Sequence, residues 1–175
     1  DVGAHMGSFG VDALKRGASK VIMIEPDPVN VECIRRNYKK EIAEGRAIIV
    51  PEGAWDKEST MDFFTAAHNS ATGSFVVHEK ESQSTLKIRV RPIDAILAEL
   101  GITKVDFLKM DIEGAERQAL RGAEKLLRTH KPRLMLDSYH LPDDGVVLPK
   151  LITELNPAYA STCAACSPSR FENDE

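Results

Sequence analysis

DVGAHMG, at residues 1–7, is the stretch that decides the fold class, because its two glycines stand directly before a predicted helix. Ser8 is a candidate cap for that helix, and Gly17 stands where the helix would end. The next apolar run, at residues 21–24, is typical of a buried parallel strand. This order of elements predicts an α/β protein. In isolation, the loop is typical both of a tight turn and of a ligand-binding turn.

Strands and helices continue to alternate along the chain. Asp27 predicts the start of a second helix, which carries Val31, Ile34 and Tyr38 and ends at Gly45. The other predicted strands lie at residues 47–50, 105–110 and 133–136, and the other predicted helices at 92–100, 114–127 and 148–155. This alternation predicts a doubly wound, mostly parallel sheet, in which ligands bind at the carboxyl ends of the strands.

Residues 56–91 depart from this alternation. Ile88 and Val90 alternate with charged residues, and this period of two predicts short antiparallel strands. The segment from His68 to Gly73 has the composition of an exposed turn. We therefore predict one domain over residues 1–175, with a β-rich insertion or lid at residues 56–91. Because no apolar run precedes the glycine loop, we expect the chain to be a fragment that lacks most of its first strand.

Composition and charge exclude several classes of protein. The 175 residues are 42% hydrophobic and 29% charged, which is typical of a folded globular domain. A formal net charge of −4 disfavours nucleic acid as a partner, and no run of about 18 apolar residues predicts a membrane span. Three cysteines and no signal-peptide pattern predict a cytoplasmic location. The sequence does not predict an oligomeric state.

Glu25 favours a ligand-binding role for the glycine loop. An acid at the end of the second strand, about 20 residues after such a loop, is placed to accept hydrogen bonds from the hydroxyls of a ribose. Gly3 and Gly7 have the spacing G-x-x-x-G, whereas the dinucleotide motif G-x-G-x-x-G makes room for a pyrophosphate. No G-x-x-x-x-G-K-[ST] motif for ATP phosphates occurs in the sequence. These features favour an adenosine ligand without phosphates over NAD or ATP.

Three strips of sequence together resemble the FkbM family of methyltransferases. They are DVGAHMGSFG at residues 1–10, IEPDP at 24–28 and LKMDIEGAERQALRGAEKLL at 108–127. The third strip is the most specific, because K-x-D-x-E-G-A-E is longer than a nucleotide-loop signature. The resemblance covers about residues 1–140. It implies a class I (Rossmann-like) methyltransferase fold, S-adenosyl-L-methionine as methyl donor, and O-methylation of a hydroxyl on a sugar or secondary metabolite. The implied acceptor is a small molecule or a glycan.

The resemblance also implies which residues hold the methyl donor. The glycine loop would hold its amino-acid end, and Glu25 would bind its ribose. The stretch around Trp55 would line the adenine, where Trp55 itself could either stack on the base or fill the core. The predicted cofactor contacts are Asp1, Gly3, Ala4, His5, Gly7, Glu25, Pro26, Ala54, Trp55 and Asp111.

Asp111 and His140 are the candidates for the catalytic side of the reaction. Asp111 follows the predicted strand at which the resemblance places methyl transfer, and a carboxylate there could stabilise a sulfonium, orient the acceptor or take its proton. It could also cap the following helix, and Glu113 and Glu116 are expected as first-turn acids on electrostatic grounds alone. His140 follows the next strand and could serve as a base, since an unperturbed imidazole has a pKa of about 6.5. A single surface histidine is the simpler interpretation of that residue.

Two other functions compete with methyl transfer. A nicotinamide-dependent oxidoreductase could use the same sheet, and a noncatalytic α/β binding module would need no reaction at all. No metal site is predicted, because Cys163 and Cys166 have the spacing of half a zinc site and no second pair occurs.

Overall fold

Short strands and helices alternate along the chain, so the protein has the mixed α/β architecture that the sequence predicts. The computed structural model describes residues 1–66, 69–76 and 82–162. The helices are α1 (Ser8–Lys15), α2 (Pro28–Asn37), α3 (Lys39–Ala43), α4 (Ile93–Glu99), α5 (Glu116–Arg121), α6 (Glu124–Thr129) and α7 (Asp144–Leu155). The strands are β1 (Val21–Ile24), β2 (Ala47–Val50), β3 (Gly53–Ala54), β4 (Ser59–Ala66), β5 (Asn69–Ser74), β6 (Ser82–Arg91), β7 (Phe107–Met110) and β8 (Arg133–Leu136).

Two pairs of parallel strands meet at Val2. β1 pairs with β2, and β7 pairs with β8. Val2 forms parallel bridges to Ile24 of β1 and to Met110 of β7. Its N–H donates to the carbonyl of Lys109, and its carbonyl accepts from the N–H of Asp111. The carboxyl ends of β1 and β7 therefore lie on either side of the glycine loop. The complete doubly wound order of a class I methyltransferase stays a prediction.

Apolar side chains cover both faces of β1. Ile24 belongs to a cluster with Met110 and with buried leucines of α5, α6 and α7. Met23, the preceding residue, belongs to a second cluster with Ile34 and Tyr38. Successive side chains of a strand point to opposite faces, so each cluster packs on its own side of the strand. Burial of such side chains stabilises the fold by about 1.5–3 kcal/mol for each fully buried residue.

Tyr38 packs directly against the glycine loop. Its hydroxyl donates to the carbonyl of Gly7, and burial raises the pKa of Tyr38 to about 12. Gly7 has a φ of 89°, and a Cβ built on it would lie 2.5 Å from the Tyr38 ring. Gly7 is also the N-cap of α1, so the prediction that Ser8 caps this helix is wrong. The loop turns into α1 through its backbone, without a side-chain cap.

The region at residues 56–91 contains antiparallel strands, as predicted. β6 pairs with β4 along the length of β4, and β4 also pairs with β5. The predicted exposed turn is wrong for residues 69–73, which belong to β5. Backbone pairing with β4 places this polar segment in a strand, although its composition favours a turn. His68 and His78 lie outside the described residues.

The helix predicted at residues 114–127 is interrupted and forms α5 and α6. Gly122 lies at the interruption, where a Cβ built on it would be 2.0 Å from the carbonyl oxygen of Trp55. The carbonyl of Gly122 accepts a hydrogen bond from the N–H of Asp94, whose carboxylate accepts from N–H groups of α6. Tertiary contacts therefore set this boundary, which local helix propensity does not show.

Other predicted helix boundaries are confirmed. The carboxylate of Asp27 accepts hydrogen bonds from the N–H groups of Val29 and Asn30 and so caps α2. Gly17 follows α1 with a φ of 98°, as expected for the residue that ends this helix. Among the described residues, no helix is both long enough and apolar enough to cross a membrane. Cys163 and Cys166 lie outside the described residues, so the structure does not bear on that pair.

The Gly122→Ala substitution is expected to lower the free energy of unfolding by about 1–3 kcal/mol, the usual cost of forcing a methyl group into a packed site. The added group would meet the carbonyl of Trp55, which is fixed by the backbone. Gly145→Ala is the matched control, because Gly145 lies in α7 with open space at its Cβ position. Urea denaturation followed by circular dichroism measures both. Equal losses of stability in the two variants would contradict the proposed contact.

Candidate functional site

A cavity of about 270 Å³ opens at the carboxyl ends of β1 and β7. Its position agrees with the rule that ligands of α/β sheets bind at this edge. Seven of the predicted cofactor contacts line it, namely Gly3, Ala4, His5, Glu25, Pro26, Ala54 and Asp111. The structure therefore brings together residues that are more than 100 positions apart in the sequence.

Glu25 is a buried carboxylate in the wall of this cavity. Its Oε2 accepts a hydrogen bond from the N–H of His5 at 2.7 Å, and its Oε1 accepts from the N–H of Asp27 at 3.0 Å and from the side chain of Asn30 at 3.3 Å. Burial raises the pKa of Glu25, although these hydrogen bonds act in the opposite direction. Three donors from the described part of the chain occupy three of about four acceptor positions on this carboxylate, so Oε2 can accept one more hydrogen bond from a ligand.

Gly3 brings the glycine loop against the segment that follows β7. Its φ is 73°, and a Cβ built on it would lie 1.9 Å from the carbonyl oxygen of Asp111. The Nζ of Lys109 donates to the carbonyl of Gly3 at 2.9 Å. A side chain at position 3 would separate the two segments, so this glycine is required by close approach as well as by conformation.

Apolar side chains of the inserted strands form another part of the wall. Phe63 of β4 and Phe75, just after β5, line the cavity together with Ala54, and their rings lie 4.8 Å apart. Trp55 does not line the cavity. Its ring contacts Phe75 edge-on at 6.4 Å, so Trp55 supports the wall from behind. Phe63 and Phe75 were not predicted as site residues, because nothing local in the sequence distinguishes them from core residues.

Asp1 and Gly7 also lie away from the cavity surface. The carboxylate of Asp1 is fully buried, with the Nζ of Lys109 at 3.5 Å. Gly7 contacts Tyr38 instead of the cavity. Lys109 itself lines the cavity and was not predicted, although it stands between the buried residues Leu108 and Met110 of β7, where a lysine is unusual. Burial lowers the pKa of Lys109, while nearby carboxylates, Asp111 first, act to raise it.

The two predicted catalytic residues, His140 and Asp111, lie next to each other. The side chain of His140 is 4% exposed, and its Nδ1 lies 3.0 Å from an oxygen of Glu116. Its Nε2 lies 3.5 Å from Oδ1 of Asp111 and 3.5 Å from Oε2 of Glu113. Burial alone would lower the pKa of His140, but the hydrogen bond to Glu116 and the three nearby carboxylates outweigh it and raise the pKa. His140 is therefore not the simple surface histidine considered above.

Glu116 fixes the segment between β7 and α5. It is fully buried and accepts hydrogen bonds from the N–H groups of Ile112 and Gly114, at 2.9 and 3.0 Å. Glu113, between them, has a φ of 52°, a left-handed conformation that is uncommon for a residue with a side chain. Glu116 thus caps the preceding loop and orients His140, which goes beyond the role of a first-turn acid.

Asp137 is a further carboxylate beside Asp111. Burial raises the pKa of Asp137, and the charge of Asp111 and a hydrogen bond with it add to that shift. Asp137 follows β8, so the ends of two parallel strands bring the two acids together. The rule that ligands bind after the strands of an α/β sheet selects Asp137 as well as Asp111, because Asp137 directly follows the predicted strand at residues 133–136.

Most of the chain is similar to proteins of one known family. The family model for the methyltransferase FkbM domain matches residues 1–160. The crystal structure of methyltransferase FkbM from Methylobacillus flagellatus KT is similar to this chain, with 29% sequence identity and a TM-score of 0.64. The match covers 91% of this chain and 37% of that chain, so this chain corresponds to little more than a third of that protein. No curated protein matches the sequence.

The stability of the protein relative to its Glu25→Gln variant is expected to fall as the pH rises above 4.5, the ordinary pKa of a glutamate. Because burial raises the pKa of Glu25, the folded protein binds this proton more tightly than the unfolded chain does. The resulting contribution to stability is complete below the unfolded pKa and is lost as the pH rises through the folded pKa. Urea denaturation of both proteins across this pH range measures the difference.

Glu99→Gln is the control with the opposite sign. The hydrogen bond from Arg91 lowers the pKa of Glu99. The contribution of Glu99 to the stability of the fold is therefore present above pH 4.5 and is lost as the pH falls. The effect is expected to be the smaller of the two, because the side chain of Glu99 is 64% exposed. If the stability difference between the unaltered protein and its variant changed with pH in the same direction for Glu25→Gln and Glu99→Gln, Glu25 would not be buried as described.

Proposed function

The chain belongs to the FkbM methyltransferase family, and from this membership we propose that it transfers a methyl group from S-adenosyl-L-methionine to a hydroxyl of a sugar or secondary metabolite. The family match covers residues 1–160, which include every residue of the site. The proposal includes the doubly wound sheet of class I methyltransferases. The parallel bridges of Val2 between β1 and β7 support that topology.

The observation that carries the proposal is Glu25 in the cavity wall. A buried carboxylate with one unused acceptor position fits a ribose hydroxyl. The apolar wall at Ala54 and Phe75 fits the flat face of an adenine. On the other side of Gly3, the carboxylates of Asp111 and Glu113 favour a positively charged group. The residues present therefore fit a positively charged adenosine ligand.

The residues of this chain would mainly position the reactants. When bound, S-adenosyl-L-methionine supplies a methyl group on a sulfonium for in-line transfer, a reaction that depends on alignment. Gly3, Ala4 and His5 offer their backbone to its amino-acid end, beside the start of α1. Asp111 and His140 lie together at the end of β7, and we assign the acceptor side to them. The side chain of Asp111 is 35% exposed, which leaves it accessible to an acceptor.

The inserted strands are proposed to cover the reactants. Phe63 and Phe75 contribute to the cavity from the insertion, and the hydroxyl of Ser74 donates to the carbonyl of Glu113 at 2.8 Å. This contact joins the end of β5 to the acceptor side of the site. An insertion so placed would exclude water from the reacting groups, as methyl transfer to a hydroxyl requires.

Glu25→Gln is expected to weaken the binding of S-adenosylhomocysteine about 10- to 100-fold, because a hydrogen bond to a charged group contributes roughly 1.5–3 kcal/mol. Isothermal titration calorimetry with S-adenosylhomocysteine, and in parallel with NAD, measures this. Glu44→Gln, at a surface residue that does not line the cavity, is the control and is expected to bind like the unaltered protein. Tighter binding of NAD than of S-adenosylhomocysteine would favour the nicotinamide-dependent oxidoreductase instead.

Asp111→Ala and His140→Ala are each expected to lower kcat for methyl transfer by roughly 100-fold or more, the range usual for groups that act on a reacting hydroxyl. Binding of S-adenosylhomocysteine is expected to persist in His140→Ala, because His140 does not line the cavity. The assay follows transfer of a labelled methyl group to a panel of sugars and hydroxylated small molecules. Undiminished transfer in both variants would defeat this assignment, and binding without transfer to any acceptor would favour a noncatalytic module.

A further inference from the structure

We propose that Asp111, Glu113 and His140 form a binding site for a divalent cation of the Mn²⁺ type at the acceptor side of the cavity. One ligand atom from each residue lies within 4.8 Å of the other two. The three residues come from the segment between β7 and α5 and from the loop after β8. The sequence did not predict this site, because its histidine is far from its two acids along the chain.

The imidazole of His140 points into this cluster with its Nε2. The side chain is 4% exposed, and Nε2 is buried and forms no hydrogen bond in the part of the chain that the structure describes. It lies 3.5 Å from an oxygen of Asp111 and 3.5 Å from an oxygen of Glu113. A buried nitrogen without a hydrogen bond is costly unless a ligand uses it. A cation between the three atoms would satisfy it.

Glu116 holds a proton on Nδ1 of His140 and so directs Nε2 towards the cluster. Its carboxylate already accepts two backbone hydrogen bonds and lies 3.0 Å from Nδ1 of His140. An ionised carboxylate can only accept, so Nδ1 carries a proton, and a cation bound at Nε2 would take the place of any proton on that nitrogen. A carboxylate behind a histidine in this way is the usual outer-shell arrangement of metal-binding histidines. Glu116 is therefore a positioning residue for the site.

The distances suit a metal ion after small movements of the carboxylates. In an octahedral metal site with metal–ligand bonds of about 2.1 Å, adjacent ligand atoms lie roughly 3.0 Å apart and opposite ligand atoms roughly 4.2 Å apart. The two 3.5 Å distances from Nε2 of His140 to the carboxylate oxygens fall within that range. The three ligand atoms lie within 4.8 Å of one another, which is slightly more than the separation of opposite ligands. The side chains of Asp111 and Glu113 are 35% and 27% exposed, so they have room to rotate towards a cation.

Charge and ligand type favour a hard divalent cation. Glu116 and Asp137 add two further carboxylates around the cluster, and Lys109 approaches Asp111 at 4.0 Å. Among the described residues the acids outnumber this lysine, so a dication would reduce the repulsion between the clustered carboxylates. Two carboxylates with one imidazole suit Mn²⁺, which accepts both oxygen and nitrogen ligands.

Three protein ligands would leave coordination positions open towards the cavity. If the proposed methyl transfer holds, on which this role rests, the acceptor hydroxyl would occupy one of them. Coordination lowers the pKa of a bound hydroxyl, so its proton is released to solvent as its oxygen forms the new bond to the methyl carbon and the carbon–sulfur bond breaks. In this arrangement His140 acts as a ligand, and the acceptor's proton does not go to its ring.

Titration of the unaltered protein with MnCl2, followed by the electron paramagnetic resonance signal of free Mn²⁺, tests the site directly. We expect one ion per chain. Glu113→Gln is the main variant, because Glu113 is partly exposed and its loss should not unfold the protein; we expect at least tenfold weaker binding. Asp106→Asn, at an acid with a 76% exposed side chain, is the matched control and is expected to bind normally.

A second measurement needs no substitution. Bound Mn²⁺ should broaden the NMR signals of the His140 ring before those of His5 and His130. Absence of stoichiometric binding, binding unchanged in Glu113→Gln, or broadening centred on another histidine would each overturn the proposal. S-adenosylhomocysteine binding is measured on the same sample. If the protein bound Mn²⁺ but not S-adenosylhomocysteine, the proposed function alone would be refuted. If it bound S-adenosylhomocysteine but not Mn²⁺, the cation site alone would be refuted.

Discussion

The backbone contact between the glycine loop and the segment after β7 is the constraint on which the rest of the site depends. Val2 is hydrogen-bonded to both Lys109 and Asp111, and Gly3 lies so close to the carbonyl of Asp111 that no side chain would fit. The same loop reaches β1, where the N–H of Gly3 donates to Ile24. A few backbone atoms thus fix the distance between Glu25 and the segment that carries Asp111.

The sequence predicts the elements of the fold well where local rules decide them. The strand at residues 21–24 and the Asp27 cap follow from apolar patterning and capping chemistry, and both are confirmed. The errors lie where distant segments decide. Gly122 interrupts a predicted helix because it packs on Trp55, and residues 69–73 form a strand because β4 pairs with them. No local sequence pattern indicates these contacts between distant segments.

The site shows the same division. Glu25 and Asp111 could be found because each follows a strand, and carboxyl ends of parallel strands share one edge of the sheet. The structural role of Glu116 could not, since a first-turn acid has an electrostatic explanation in any helix. Only the fold shows that it is fully buried and faces His140. Phe75 was missed for a similar reason, because its position beside Ala54 depends on how the insertion folds back.

The hydrogen bond from Ser74 to the carbonyl of Glu113 has a thermodynamic consequence. It connects the end of β5 to the backbone of Glu113, which is a proposed cation ligand. A molecule that displaces the inserted strands would then alter the affinity for the ion, and the ion would alter the affinity for that molecule by the same factor. Such reciprocal coupling would make cooperative binding of the ion and the acceptor a property of the fold.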